Sequence, residues 1–172
     1  GGGFYNNQTA TLTGNTFSGN TASSHGGGVY HFGNSTLFTN NTFSGNTAVN
    51  NGGGIYSGQP LSLVNNTLSG NSATSGGGLH NFAALDLTNT LIANSPSGGD
   101  CYNSGTISTN TNNLIQDGSC GSALNISSDP LLGPLQNNGG LTQTFALLGG
   151  SPAMDTGDNA TCATTDQRGI TR

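Results

Sequence analysis

Apolar residues in this chain fall in short alternating pieces separated by glycine and asparagine. Thr11-Leu12-Thr13, Leu37-Phe38-Thr39, Leu61-Ser62-Leu63 and Leu85-Asp86-Leu87 alternate apolar with polar positions. That is the period of two expected of strands with one buried face, and the Thr, Val, Ile, Phe and Tyr content favours strands. No stretch carries a 3.6-residue apolar stripe, and Gly triplets interrupt the chain too often for helices.

The pieces recur. Gly-Gly-Gly starts at Gly1, Gly26, Gly52 and Gly76. Each triplet is followed by an apolar residue and a ring: Phe4-Tyr5, Val29-Tyr30, Ile55-Tyr56 and Leu79-His80. A second block reads Asn15-Thr16-Phe17-Ser18-Gly19-Asn20, then Asn41 to Asn46, then Asn66 to Asn71, with a shorter copy at Thr90-Leu91-Ile92-Ala93-Asn94. A fixed period of about 25 residues with three short strands and three turns predicts one coil of a solenoid. The fold expected is all-β, a right-handed parallel β-helix, since crossovers between parallel strands are almost always right-handed. Four regular coils are expected over 1–98, degenerate coil over 99–128, and a separate C-terminal module over 129–172. Phe4, Val29, Ile55 and Leu79 should form one inward column, and Phe17, Phe43, Leu68 and Ile92 another. Asn20, Asn46, Asn71 and Asn94 should stack at a corner, where amides bond in register and tolerate left-handed backbone. Tyr5, Tyr30, Tyr56 and His80, adjacent to inward residues, should form an outward row.

Stacking explains a composition that is otherwise odd. Only 5% of residues are charged, and the net charge of −5 rests on seven Asp against Arg168 and Arg172. Two Arg at one end cannot neutralise a run of phosphates, which argues against nucleic acid. No apolar run approaches the roughly 20 residues that span a bilayer, so no membrane insertion is expected in this segment. The chain opens on Gly1-Gly2-Gly3 inside a repeat, which reads as a fragment whose targeting segment lies outside it.

The Gly-Gly-Gly-apolar-Tyr and Asn-Thr-Phe-Ser-Gly-Asn repeats resemble those of bacterial surface proteins with polymorphic-outer-membrane-protein-type repeats. Asp129-Pro130-Leu131-Leu132, Gly150-Ser151-Pro152-Ala153-Met154-Asp155 and Asp166-Gln167-Arg168-Gly169 are similar to the choice-of-anchor Q domain. The resemblance implies export, a parallel β-helix, attachment to the cell surface through varied C-terminal anchors, and no catalytic residues. The chain stops at Arg172, before that family's closing segment. Given export, Cys101 and Cys120, which flank a stretch able to fold back between coils, are expected to form a disulfide; two reduced, buried thiols are the alternative. For Cys162 the resemblance implies a mate beyond Arg172, with an intersubunit bond as the other reading.

The function expected is a non-enzymatic structural protein of the cell surface. The first coil shows no cap and the surface little charge, so head-to-tail self-association into a filament is the partner expected. The alternative is an adhesin displaying Tyr, Asn and Thr to a glycan or host surface. Parallel β-helices also degrade polysaccharides, but glycoside hydrolysis needs paired carboxylates, and residues 1–98 hold only Asp86. His25 and His31 flank the second Gly triplet near turns, and His80 belongs to the Tyr column. No cofactor is expected. Asp155, Asp158 and Asp166 are candidate calcium ligands, against the reading that they cap Gly turns. Asn-x-Ser/Thr sequons stand at Asn7, Asn34, Asn40, Asn65, Asn125 and Asn159.

Overall fold

The computed structural model describes residues 1–120 and 127–172. Three parallel sheets of five strands each run along one axis, and no described residue is helical. Sheet one stacks β1 (Phe4–Asn6), β5 (Val29–His31), β9 (Ile55–Ser57), β12 (Leu79–Asn81) and β15 (Cys101–Asn103). Sheet two stacks β2 (Thr11–Thr13), β6 (Thr36–Thr39), β10 (Leu61–Val64), β13 (Leu85–Thr88) and β16 (Ile107–Thr111). Sheet three stacks β3 (Thr16–Ser18), β7 (Thr42–Ser44), β11 (Thr67–Ser69), β14 (Leu91–Ala93) and β17 (Leu114–Ile115). A short pairing of β4 (Thr21–Ala22) with β8 (Thr47–Ala48) closes a further corner. The chain is a β-solenoid of roughly 25 residues per turn.

Register follows from which residues tolerate burial. Phe4, Val29, Ile55, Leu79 and Cys101 lie over one another. Phe17, Phe43, Leu68, Ile92 and Ile115 form the second column. Leu12, Phe38, Leu63 and Leu87 form a third. These columns meet in one core whose central members are wholly buried. A slip of one residue would turn the whole set outward, so burial locks the register.

The glycine triplets are a packing requirement. Gly26 turns the chain at φ +65°, which a glycine adopts without strain. Gly27 then passes so close to the next rung that a Cβ would lie 2.4 Å from Gly53 O and 2.5 Å from Thr47 O. Gly27 N donates to Gly52 O across the same gap, at 3.1 Å.

Asparagine lines two corners. Asn20 Nδ2 donates to Asn46 Oδ1, and Asn46 Nδ2 to Asn71 Oδ1, each at 2.9 Å. The expected fourth member is misplaced: Ala93 pairs with Ser69, so Asn94 stands over Gly70 instead of Asn71. The fourth copy is one residue short, and Asn94 takes the glycine's left-handed turn, at φ 58°. The other corner, which the sequence pattern did not single out, holds Asn15, Asn41 and Asn66, bonded amide to amide at 3.1 Å, and then Thr90 and Asn113.

Residues 129–172 change architecture without leaving the solenoid. An antiparallel hairpin of β18 (Leu132–Gln136) and β19 (Thr144–Leu147) and a strand-poor strap, residues 155–172, run back along the rungs.

Candidate functional site

The Tyr column is a continuous stack. Ring centroids lie 5.4 Å apart for Tyr5 and Tyr30, 4.9 Å for Tyr30 and Tyr56, 5.7 Å for Tyr56 and His80, and 4.4 Å for His80 and Tyr102. Their planes are within 22° of parallel. The rings therefore face one another along the axis and turn mostly their edges outward. A sugar docks on an aromatic face, so the column spends inside the stack the surface such a ligand needs. Cross-rung stabilisation is its first role.

His80 departs from the expected outward row. It is only 3% exposed, sealed by Tyr56, Tyr102 and the tilted ring of Phe82 at 4.6 Å. Burial lowers its pKa, countered by the bond that Nδ1 donates to Ser75 O and reinforced by repulsion from His25. His31 is also buried, its Nδ1 facing Asn6 Nδ2 at 3.1 Å, and burial lowers its pKa too. Both imidazoles are held neutral, since the desolvated charged form is penalised. His25 sits 4.8 Å from Tyr56, and Phe32, Phe82 and Tyr102 join the same patch. The repeat offered a signal for the two phenylalanines: each follows its coil's ring residue, Tyr30 or His80, by two positions.

A second surface is the flank under the strap. Asn40, Asn65, Asn89 and Asn112 take left-handed φ of 56°, 57°, 49° and 52°, and Gly14 turns the first rung at 71°. This turn rotates each side chain outward while its neighbour, such as Asn41 or Asn66, points into the corner ladder. The outward amides hold the strap rung by rung. Asn112 Nδ2 donates to Thr156 O at 2.7 Å, and Asn89 exchanges two bonds with Asp158, at 3.1 and 2.8 Å. Ala163 N donates to Asn65 Oδ1 at 3.2 Å, and Asn40 Nδ2 to Thr165 O at 2.9 Å. Gln167 completes the run, accepting from Thr42 Oγ1 at 2.8 Å and donating to Asn15 O at 3.1 Å. A cavity of about 670 Å³ remains between strap and sheet three, bordered by Leu91, Leu114, Phe145, Cys162, Arg168 and Arg172. Arg172 Nη1 lies 2.8 Å from the free thiol of Cys162.

The candidate calcium ligands do not converge. Asp158 caps Ala160 N and Thr161 Oγ1, at 2.9 Å each. Asp166 grips Arg168 at 2.6 Å and accepts from Ile170 N at 3.0 Å. Burial opposes ionisation of Asp166, but the Arg168 and backbone donors outweigh it and hold its pKa below the usual carboxylate range. Asp155 is exposed. Among the described residues no three metal-ligating side chains gather. Asn40 and Asn65 are occupied by the strap, and Asn125 lies outside the described residues.

One carboxylate pair does form. Asp100 N donates to Asp117 Oδ2 at 2.8 Å and Asp117 N to Asp100 Oδ2 at 3.1 Å. Burial raises the Asp100 pKa. Burial would raise Asp117 as well, but the Ser119 hydroxyl and backbone donors prevail and lower it. Split pKa values can mark an acid and a base. Here each carboxylate faces the other's backbone, beside the Cys101–Cys120 disulfide, which joins Cα atoms 5.4 Å apart. The pair ties off the last described rung.

The repeat of the Chlamydia polymorphic membrane protein family matches residues 16–31 and 42–58. The chain is a β-helix with repeats of the polymorphic-membrane-protein type. Each match runs from the inward Phe of sheet three, through the Gly turn, the ladder Asn and the triplet, to sheet one. The matched residues are thus the ones that set a rung. The match points to a surface-associated protein. No curated protein and no solved structure matches the chain.

Proposed function

We propose that this chain is a non-enzymatic, extracellular structural segment of a bacterial surface protein, a stiff solenoid whose purpose is its own extended shape. The observation that carries this reading is the continuity of three columns, apolar, amide and aromatic, through successive rungs. The corner amides of Asn41, Asn46, Asn66 and Asn71 are used in holding neighbouring rungs together, and the close carboxylates are used on backbone. A surface with so little charge offers weak mutual repulsion, so association of copies along their axis belongs to the same proposal. So does the reading of residues 129–172 as a choice-of-anchor Q type module, which rests on the Asp129-Pro130-Leu131-Leu132 and Ser151-Pro152-Ala153-Met154-Asp155 motifs.

Antibodies against the rungs are expected to label intact cells that carry the whole protein, and negative-stain images of the purified chain to show filaments at high concentration. Absence of labelling would overturn the surface location, and monodisperse single copies the assembly. Release of reducing ends from polysaccharides, lost in Asp100→Asn, would overturn the non-enzymatic reading.

A further inference from the structure

The residue that follows each strand of sheet one forms its own column: Asn7, Phe32, Gly58, Phe82 and Ser104. Three of these are small or polar, as a solvated edge requires. Phe32 and Phe82 are not, and they are 52% and 45% exposed. The Tyr stack is continuous without them. We propose that Phe32 and Phe82 form a binding platform for a neutral, extended, β-linked polysaccharide, laid along the solenoid axis across Gly58.

Four observations support this. The two residues stem from positions two rungs apart, roughly 10 Å along the backbone at the spacing of paired strands, the order of a disaccharide repeat in an extended β-linked chain. Gly58 gives the Phe32 ring room to lie along the axis toward Phe82: a Cβ there would meet Phe32 Cδ2 at 2.6 Å. Phe82 stands crosswise to Tyr56 and Tyr102, at 63° and 66°, and so is not a member of the parallel stack, while Phe32 lies beside Tyr30 with centroids 6.2 Å apart. Finally, residues 4–8, 29–34, 55–59, 79–84 and 101–105 contain no acid and no Arg. An anionic polymer finds no cation on this flank, whereas hydroxyls find the exposed amides of Asn7, Gln8 and Asn34. Apolar sugar faces on aromatic rings, with hydroxyls on amides, are the complementary chemistry.

Affinity gel electrophoresis with hydroxyethylcellulose and mixed-linkage β-glucan as probes, and soluble amylose as the α-linked control, tests the proposal. The chain is expected to be retarded by at least one β-linked polymer and not by amylose. Phe32→Ala and Phe82→Ala should each weaken retardation at least tenfold, while Leu37→Ala, an exposed apolar residue on another sheet, should leave it unchanged. Phe82→Leu keeps an apolar cover over His80 and should lose binding too, with the sheet signal in circular dichroism intact. No retardation by either β-linked polymer, equal retardation by amylose, or undiminished binding by the double Phe32→Ala/Phe82→Ala variant would overturn it. Recognition of a protein partner alone by this face would overturn it as well.

Discussion

The rungs and the strap use the same amide chemistry in opposite ways. In the rungs, Asn46 bonds to its own equivalents, Asn20 and Asn71, each 25 or 26 residues away. The ladder repeats because the backbone repeats. In the strap, Asn89 and Asn112 bond to the backbone of Asp158 and Thr156, partners with no repeat of their own. The inner rung bonds, such as Asn46 to Asn71, are buried and their loss leaves orphaned donors; the strap bonds are part-buried or exposed, where water can replace them more readily. The rungs should therefore carry the stability of the fold, and the strap should open locally at lower cost.

The sharpest way to break this contrast is Gly27→Ala. Its Cβ collides with the Gly53 and Thr47 carbonyls of the next rung, and backbone of a stacked rung cannot step aside. Loss of at least about 4 kcal/mol, or no folded protein, is expected. Gly70→Asn is the matching control, since Asn94 already holds the equivalent turn one rung on with φ 58°. Denaturant melts of both variants read the difference, and equal effects would mean that the close approach of rungs is not what the triplet serves.

Next in size is the pair Asn46→Ala and Asn89→Ala. The first leaves the amide and backbone N–H of Asn20 without their acceptor and takes one donor from the carbonyl of Phe17. About 1–3 kcal/mol of global stability should be lost. The second should leave the global transition nearly in place while hydrogen exchange at Asp158 N accelerates. Equal global losses would show that strap and rungs unfold as one unit.

The smallest effect expected is on pH. His31 and His80 have folded pKa values below the ordinary 6.5, so the unfolded chain binds protons that the folded chain refuses. Their contribution is fully present above about pH 6.5 and is lost as pH falls below it, down through the lowered folded values. Denaturant midpoints taken from pH 7.5 to 5 should decline, and the decline should shrink in His31→Gln. A midpoint that rises on acidification would contradict the buried, neutral state of both rings.

Much of this was legible in advance, for a specific reason. In a parallel stack, each residue's principal neighbour is its own equivalent, so a period in sequence is already a contact list in space. Phe4 over Val29 over Ile55 followed from counting. Asn94 failed the same count because one residue was lost from its copy, and only strand pairing showed which position had gone. The outward row was right for Tyr5, at 58% exposed, and wrong for His80, because Tyr102, the next ring of the same column, and Phe82, from the column beside it, close over it.

The sequence by itself determined the rung: its length, its inward columns, its glycine turns and the all-β class, since alternation and period act between near-identical neighbours. Only the tertiary structure decided the outward role of Asn40, Asn65, Asn89 and Asn112, the path of the strap, the sealing of His80 and the exposed faces of Phe32 and Phe82. Those depend on side chains meeting segments far away that share no period with them, and nothing local in the chain encodes such a meeting.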